Sequence, residues 1–136
     1  MAKTWQQKLD SPHPPKVEVL ESPMMGVPAG ARLLIANPRT VQDFVSRIPK
    51  GEALTIPELR ERMAKAFDAD TACPLTTGIF LRIVAECALE EMAAGKSPAE
   101  VTPFWRAIDP KSGVGKKLSC GKEHLLALRS ADGIKD

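Results

Sequence analysis

Apolar residues recur at helical spacing through the middle of the chain and predict two consecutive helices. The first begins after Thr40, a good N-cap, and ends at Pro49 and Gly51. Thr55 caps the second helix, which has Pro57 in its first turn. The apolar positions that these helices turn inward are Val41, Phe44, Val45, Ile48, Leu59, Met63 and Phe67.

A third, longer helix is predicted over residues 74–94. At 100° per residue, its apolar side chains cover most of the circumference, and only Arg82, Glu86 and Glu90 form a polar stripe. A helix with so little polar surface is typical of a central position in a protein core. Most of its residues are therefore expected to be structural.

Shorter apolar runs predict β structure on both sides of these helices. Residues 31–36 (ARLLIA) are bounded by glycine and Asn-Pro, which favours a short strand. Residues 101–108 (VTPFWRAI) are β-prone, and the glycines of 109–115 predict the tip of a hairpin whose return strand is 116–119. Residues 123–130 predict a last short helix.

The chain is 136 residues long, which is the size of one domain. Five prolines among residues 1–30 exclude a long helix and predict an extended N-terminal arm. We therefore divide the chain into this Pro-rich arm and a domain at 31–136. The order of elements predicts an α+β fold: a winged helix-turn-helix with a short β wing and an extended N-terminal arm.

The overall charge excludes a surface that is basic throughout. Nineteen Lys and Arg side chains face seventeen Asp and Glu side chains, a formal net charge of +2, so any affinity for a polyanion must be local. The most apolar stretch, 78–94, carries four charged residues and does not resemble a membrane span. With no secretory signal at the N-terminus, we expect a cytoplasmic protein without a membrane partner.

The few residues suited to catalysis or metal binding are scattered. Cys73, Cys87 and Cys120 are widely spaced and odd in number, so they match neither a zinc site nor a disulfide framework and are expected to be reduced thiols. His13 and His124 form no cluster. We therefore predict no catalytic residue, no metal and no cofactor.

A basic wing, defined here as residues 106–122, holds five cations against Asp109 alone. Such a segment could neutralise DNA phosphates without reading bases, although a solvated lysine-rich loop fits the composition equally well. The residues predicted to contact DNA are Thr76, Thr77 and Arg82 on the long helix and Arg106, Lys111, Lys116 and Lys117 on the wing.

Phe104 and Trp105 are neighbours on a predicted strand, so their rings should point to opposite faces. One ring would then be buried, and the other would line a cleft as a stacking surface for a base, forming a lesion pocket. Burial of both rings between the wing and the long helix is the alternative, and the spacing favours it.

Several segments, taken in order, resemble a known family. Residues 44–51 (FVSRIPKG) resemble a helix with an IP-x-G turn, residues 54–59 (LTIPEL) a T-Y-G-E-I segment, and residues 103–108 (PFWRAI) the active-site strand PCHRVI. The ending KEHLLALRSADGI resembles K-x-x-LL-x-x-EG. Together, over 41–134, they resemble the DNA-binding domain of the alkylguanine-DNA alkyltransferases and their alkyltransferase-like relatives, which lack the active-site cysteine.

The departures from this family bear on activity. Phe104 stands at the position of the alkyl-accepting cysteine and Trp105 at that of its histidine, so the nucleophile and its base are both missing. The resemblance also implies that Phe104 faces the lesion pocket. Ile56 replaces the family's helix-turn tyrosine and Pro57 its glycine, while Arg82 is only a substitute for the arginine that enters the duplex.

These observations predict a non-enzymatic, alkyltransferase-like DNA-binding protein that senses altered bases in DNA repair. Its expected partner is double-stranded DNA, and a repair protein is a second candidate partner. The alternative is a winged-helix scaffold or protein-interaction module that has lost lesion recognition. An enzyme that uses Cys73 or Cys120 is the least favoured hypothesis, because neither thiol has an activating partner nearby in sequence.

Overall fold

The computed structural model describes residues 3–136 and shows a mixed α+β fold. Within these residues there are six α-helices and one three-stranded sheet. The helices are α1 (Trp5–Leu9), α2 (Pro38–Ser46), α3 (Ile56–Ala66), α4 (Pro74–Ala93), α5 (Gly113–Lys117) and α6 (Lys122–Ala131). The strands are β1 (Lys16–Val19), β2 (Arg32–Ile35) and β3 (Thr71–Ala72), and 3₁₀ turns occur at Pro98–Glu100 and Phe104–Arg106.

The three predicted central helices are present, and their starts follow from local capping. Asn37 caps α2 by accepting a hydrogen bond from the Thr40 backbone N–H (2.8 Å), so this helix begins earlier than predicted. Thr55 caps α3 as predicted, and Glu58 completes a capping box with it. Pro74 is the first residue of α4. The backbone N–H at this position has no acceptor within a helix, so a proline, which lacks the N–H, loses no hydrogen bond there.

Helix α4 forms the centre of the core, as its apolar circumference predicted. Leu81, Val84 and Ala85 are at most 1% exposed, and α4 packs against α1, α2 and α3. The sheet lies beside these helices, with β2 central, antiparallel to β1 and parallel to β3. No described helix is long and apolar enough to cross a bilayer.

The N-terminal arm contributes structure to the same core. Besides β1 it contains α1, which the prolines further along do not interrupt because they begin at Pro12. Leu9 on α1 is 1% exposed and belongs to the main hydrophobic cluster. The arm is therefore packed on the rest of the chain over its described residues.

The predicted hairpin over residues 101–119 is wrong, because this segment contains no strand. Its peptide groups bond within the segment or to loops and side chains: the Arg106 N–H donates to the Pro103 carbonyl oxygen (3.0 Å), and the Arg106 carbonyl oxygen accepts from the Leu54 N–H (2.7 Å). Gly115 lies in α5 instead of a hairpin tip, where a Cβ atom would come within 2.3 Å of the Asp109 carbonyl oxygen. The glycines of this region thus permit a tight approach of two backbones and a short helix.

Candidate functional site

Both aromatic rings of the predicted lesion pocket are buried. Phe104 is 0% exposed and Trp105 is 3% exposed, and their ring centroids lie 5.2 Å apart in an edge-to-face arrangement. The strand predicted at these residues is wrong, because they form a 3₁₀ turn, which does not alternate side chains between two faces as a strand does. Trp105 lines a cavity of about 350 Å³ beside Arg106, but at 3% exposure it presents little ring surface on which a base could stack.

Arg106, predicted to contact DNA, belongs to a largely buried ion pair. Its Nε and Nη2 atoms donate to the two carboxylate oxygens of Asp132 at 2.7 and 2.8 Å, and Nη1 donates to the Ile48 carbonyl oxygen at 2.7 Å. The Arg106 guanidinium holds the pKa of Asp132 below its ordinary value. The Arg106 donors tie the turn after α2 to the C-cap of α6, so they are engaged within the protein and not directed at DNA as predicted.

The remaining cations of the basic wing are divided between two places. Lys111 and Lys122 line a cavity of about 220 Å³ together with Asp109 and Asp136, so carboxylates offset their charge. Lys116 and Lys117 lie in the last turn of α5 and are exposed. Only the α5 lysines therefore present positive charge away from these acids.

Lys117 lies beside a groove between α1, the first half of α4 and α5, which we call the α4 groove. It encloses about 610 Å³, within the range of ligand-binding clefts. Its apolar lining includes Trp5, Met25, Leu75, Ile79 and Val114. Three of the four exposed large apolar side chains in residues 3–136 line it: Met25, Leu75 and Ile79 are 60%, 54% and 49% exposed.

The polar lining of the α4 groove is cationic. Lys8, Arg82 and Lys117 line it, and no carboxylate from the described residues does. Lys8 Nζ lies 4.4 Å and Arg82 Cζ 5.3 Å from the centroid of the Trp5 ring, which keeps both cations close to the apolar surface. The groove thus combines exposed apolar side chains with three cations, of which Lys8 and Lys117 form no ion pair within residues 3–136.

Arg82 has one acidic neighbour, which lies behind the groove. Its Nε atom is 3.7 Å from an oxygen of Glu86, whose side chain is 2% exposed. The backbone N–H and the hydroxyl of Ser119 both donate to this carboxylate. The Arg82 Nε atom is buried and makes no hydrogen bond within the described residues.

The two threonines at the start of α4 differ in exposure. Thr77 is 1% exposed and forms part of the core, which contradicts its predicted contact with DNA. Thr76 is half-buried, and its hydroxyl has no hydrogen-bond partner in residues 3–136. Of the seven residues predicted to contact DNA, Arg82 and Lys117 meet at the α4 groove, and Lys116 is adjacent to Lys117 in sequence.

All three cysteines are free thiols, and the surroundings of two of them oppose ionisation. Burial raises the pKa of Cys87 to about 11, and burial also raises the pKa of Cys120. Cys73 is 4% exposed. Within residues 3–136, no three His, Cys, Asp or Glu side chains are grouped as metal ligands. Raised pKa values keep the Cys87 and Cys120 thiols protonated at neutral pH, which makes them weak nucleophiles.

Sequence reasoning missed the part of the α4 groove that comes from the N-terminal arm. Trp5, Lys8 and Met25 lie in a segment that was expected to be extended. The sequence did carry a signal for the α4 side of the groove, namely Leu75 and Ile79, two apolar residues four apart near the start of a helix.

Comparisons of the chain with protein-family models, curated proteins and solved structures find no match.

Proposed function

We propose that this chain is a non-enzymatic DNA-binding protein of the alkyltransferase-like kind that contacts the phosphates of duplex DNA. The observation that carries the proposal is the cationic surface formed by Lys8, Arg82 and Lys117 at the first half of α4, because such a surface supplies sequence-independent affinity. In this proposal α3 and α4 are the helix-turn-helix pair, and the motif resemblance over residues 41–134 supports that assignment.

We do not include recognition of an altered base in this function. Phe104 is fully buried and Trp105 is 3% exposed, whereas a flipped base needs an open pocket with stacking partners. Phosphate contacts position a protein on the duplex but carry no sequence information. We therefore expect binding that depends strongly on salt and weakly on sequence.

Replacing Lys116 and Lys117 together by alanine should weaken duplex binding to a similar degree for unrelated sequences. The slope of log K against log salt should become shallower by about 1 to 2, because up to two phosphate contacts are lost. Fluorescence anisotropy over a salt titration measures both effects. The matched control is Lys111→Ala with Lys122→Ala, which removes the same charge beside Asp109 and Asp136. An unchanged slope in the Lys116/Lys117 variant would exclude the α5 lysines from the binding surface.

The protein should not transfer an alkyl group from DNA to itself. Phe104 has no lone pair with which to attack carbon, and the raised pKa of Cys87 and of Cys120 disfavours their thiolates at neutral pH. Intact mass spectrometry after incubation with an O⁶-methylguanine duplex should show an unchanged mass. A stoichiometric gain on any of the three cysteines would contradict this expectation.

A second candidate function is a protein-interaction module. It is favoured by the exposed apolar side chains of Met25, Leu75 and Ile79 in the α4 groove, because phosphates gain nothing from contact with them. Clustered apolar surface of this kind is typical of sites that bind another protein.

A further inference from the structure

We propose that the α4 groove binds an acidic amphipathic helix of a partner protein. This inference rests on the second candidate function, the interaction module, and names the chemistry of its partner. An amphipathic helix recognises a groove with apolar side chains repeated every three or four residues. Its flanking residues then meet the charged rim of the groove.

The apolar lining matches the inner face of such a helix. Leu75 and Ile79 are one turn apart on α4, and Met25 and Val114 line the same groove. Met25, Leu75 and Ile79 are about half-exposed or more, so covering them would remove substantial apolar surface from water. Methionine also adapts its shape to different apolar partners.

The charges determine which kind of helix fits. Lys8 and Lys117 have no ion-pair partner within residues 3–136, and Arg82 has only the buried Glu86. Glutamate or aspartate beside the apolar face of the incoming helix would pair with these cations at the rim. Complementary charge of this kind favours an acidic partner and disfavours a basic one.

Other occupants fit the observations less well. A second copy that bound groove to groove would bring two sets of Lys8, Arg82 and Lys117 together, and like charges repel. A lipid surface requires apolar side chains that project from the protein, whereas these line a recess. Duplex DNA would satisfy the cations and leave Leu75 and Ile79 exposed to a polar backbone.

The acidic helix and duplex DNA share Lys8, Arg82 and Lys117 and should therefore compete. The two ligands differ in the other residues that they contact. Ile79 lines the groove and offers only apolar contact, which serves the helix, whereas Lys116 does not line the groove and can serve only the duplex. Ile79→Ser should impair helix binding alone, and Lys116→Ala should impair duplex binding alone. This difference separates the present inference from the proposed DNA-binding function.

The test uses the full chain and three synthetic helical peptides of one design. Each carries leucine at positions i, i+3, i+4 and i+7, with flanking residues that are all glutamate, all glutamine or all lysine. Titration calorimetry should show that the glutamate peptide binds best. Its Kd should rise about tenfold in Ile79→Ser, while Val19→Ser, an exposed apolar site outside the groove, should leave it unchanged. Thermal melts establish that both variants fold.

Binding of the lysine or glutamine peptide as tightly as the glutamate peptide would overturn the acidic partner and retain the interaction module. If no peptide bound, or if Ile79→Ser and Val19→Ser bound the glutamate peptide equally well, the acidic partner helix and the interaction module would both be overturned. Binding to phosphatidylserine vesicles that is lost in Ile79→Ser, without binding of the glutamate peptide, would replace the partner helix by a membrane. The salt titration of duplex binding is a separate measurement, so none of these peptide results decides whether the protein binds duplex DNA.

Discussion

Phe104→Ala should lower the free energy of unfolding by about 3 to 5 kcal/mol, because it leaves a cavity that the surroundings only partly fill. Phe104 is fully buried, belongs to the main hydrophobic cluster and packs edge to face against Trp105. Edge-to-face packing adds about 0.5 to 1.5 kcal/mol beyond the area buried. Chemical denaturation followed by circular dichroism measures the loss.

Two further variants separate loss of packing from loss of a binding surface. Phe104→Leu retains most of the buried volume and should cost less than about 1.5 kcal/mol. Ile79→Ala, at a half-exposed site, should change stability by about 0.5 kcal/mol or less. If Phe104→Ala were as stable as the wild type yet bound DNA with an unpaired base more weakly, Phe104 would face an accessible pocket and the buried position would be refuted.

The parts of the fold that follow from local interactions were predictable from sequence. Thr55 and Glu58 form the capping box of α3 within one turn, and Pro74 opens α4 at the predicted residue. These signals depend on residues three or four positions apart and do not need the rest of the chain. The burial of α4 likewise followed from its composition.

The basic wing was predicted wrongly because its conformation depends on distant residues. The β propensity of residues 101–108 is a preference for a half-buried pleated surface, and no neighbouring strand pairs with this segment. Arg106 instead binds Asp132, 26 residues further along the chain. A sequence pattern contains no information on that pairing, so Arg106 was counted among the surface cations.

The α4 groove was unpredictable for a related reason. Its cations come from three separate regions: Lys8 in α1, Arg82 in α4 and Lys117 in α5. Only the packing of α1 on α4 brings the first two onto the same Trp5 ring. The charge count of one segment could not reveal a cluster assembled from side chains more than thirty positions apart in the sequence.

Arg106→Met should lower the free energy of unfolding by about 3 to 5 kcal/mol, because it leaves the Asp132 carboxylate buried without its partner. The two side chains are 15% and 7% exposed, so water replaces little of the lost interaction. The double variant Arg106→Met with Asp132→Leu should recover much of the loss, since apolar replacement of a buried ion pair is often neutral. Equal stability of the single and double variants would show that the unpaired charge is not the cause.

The same pair should make stability depend on pH in the acid range. The guanidinium holds the pKa of folded Asp132 below its ordinary value, which is about 3.9 in an unfolded chain. The unfolded state therefore binds the proton more readily, and the contribution of this group is complete above the unfolded pKa. It is lost as the pH falls through the folded pKa. Arg129 lowers the pKa of Asp136 in the same way, so Asp136 also makes stability depend on pH. The double variant keeps Asp136 and is therefore the reference against which wild type is compared. In denaturation curves from about pH 7 downward, wild type should lose stability relative to the double variant as the pH falls from the unfolded pKa towards the folded pKa of Asp132. A difference that stays constant over this range would exclude Asp132 as the titrating group.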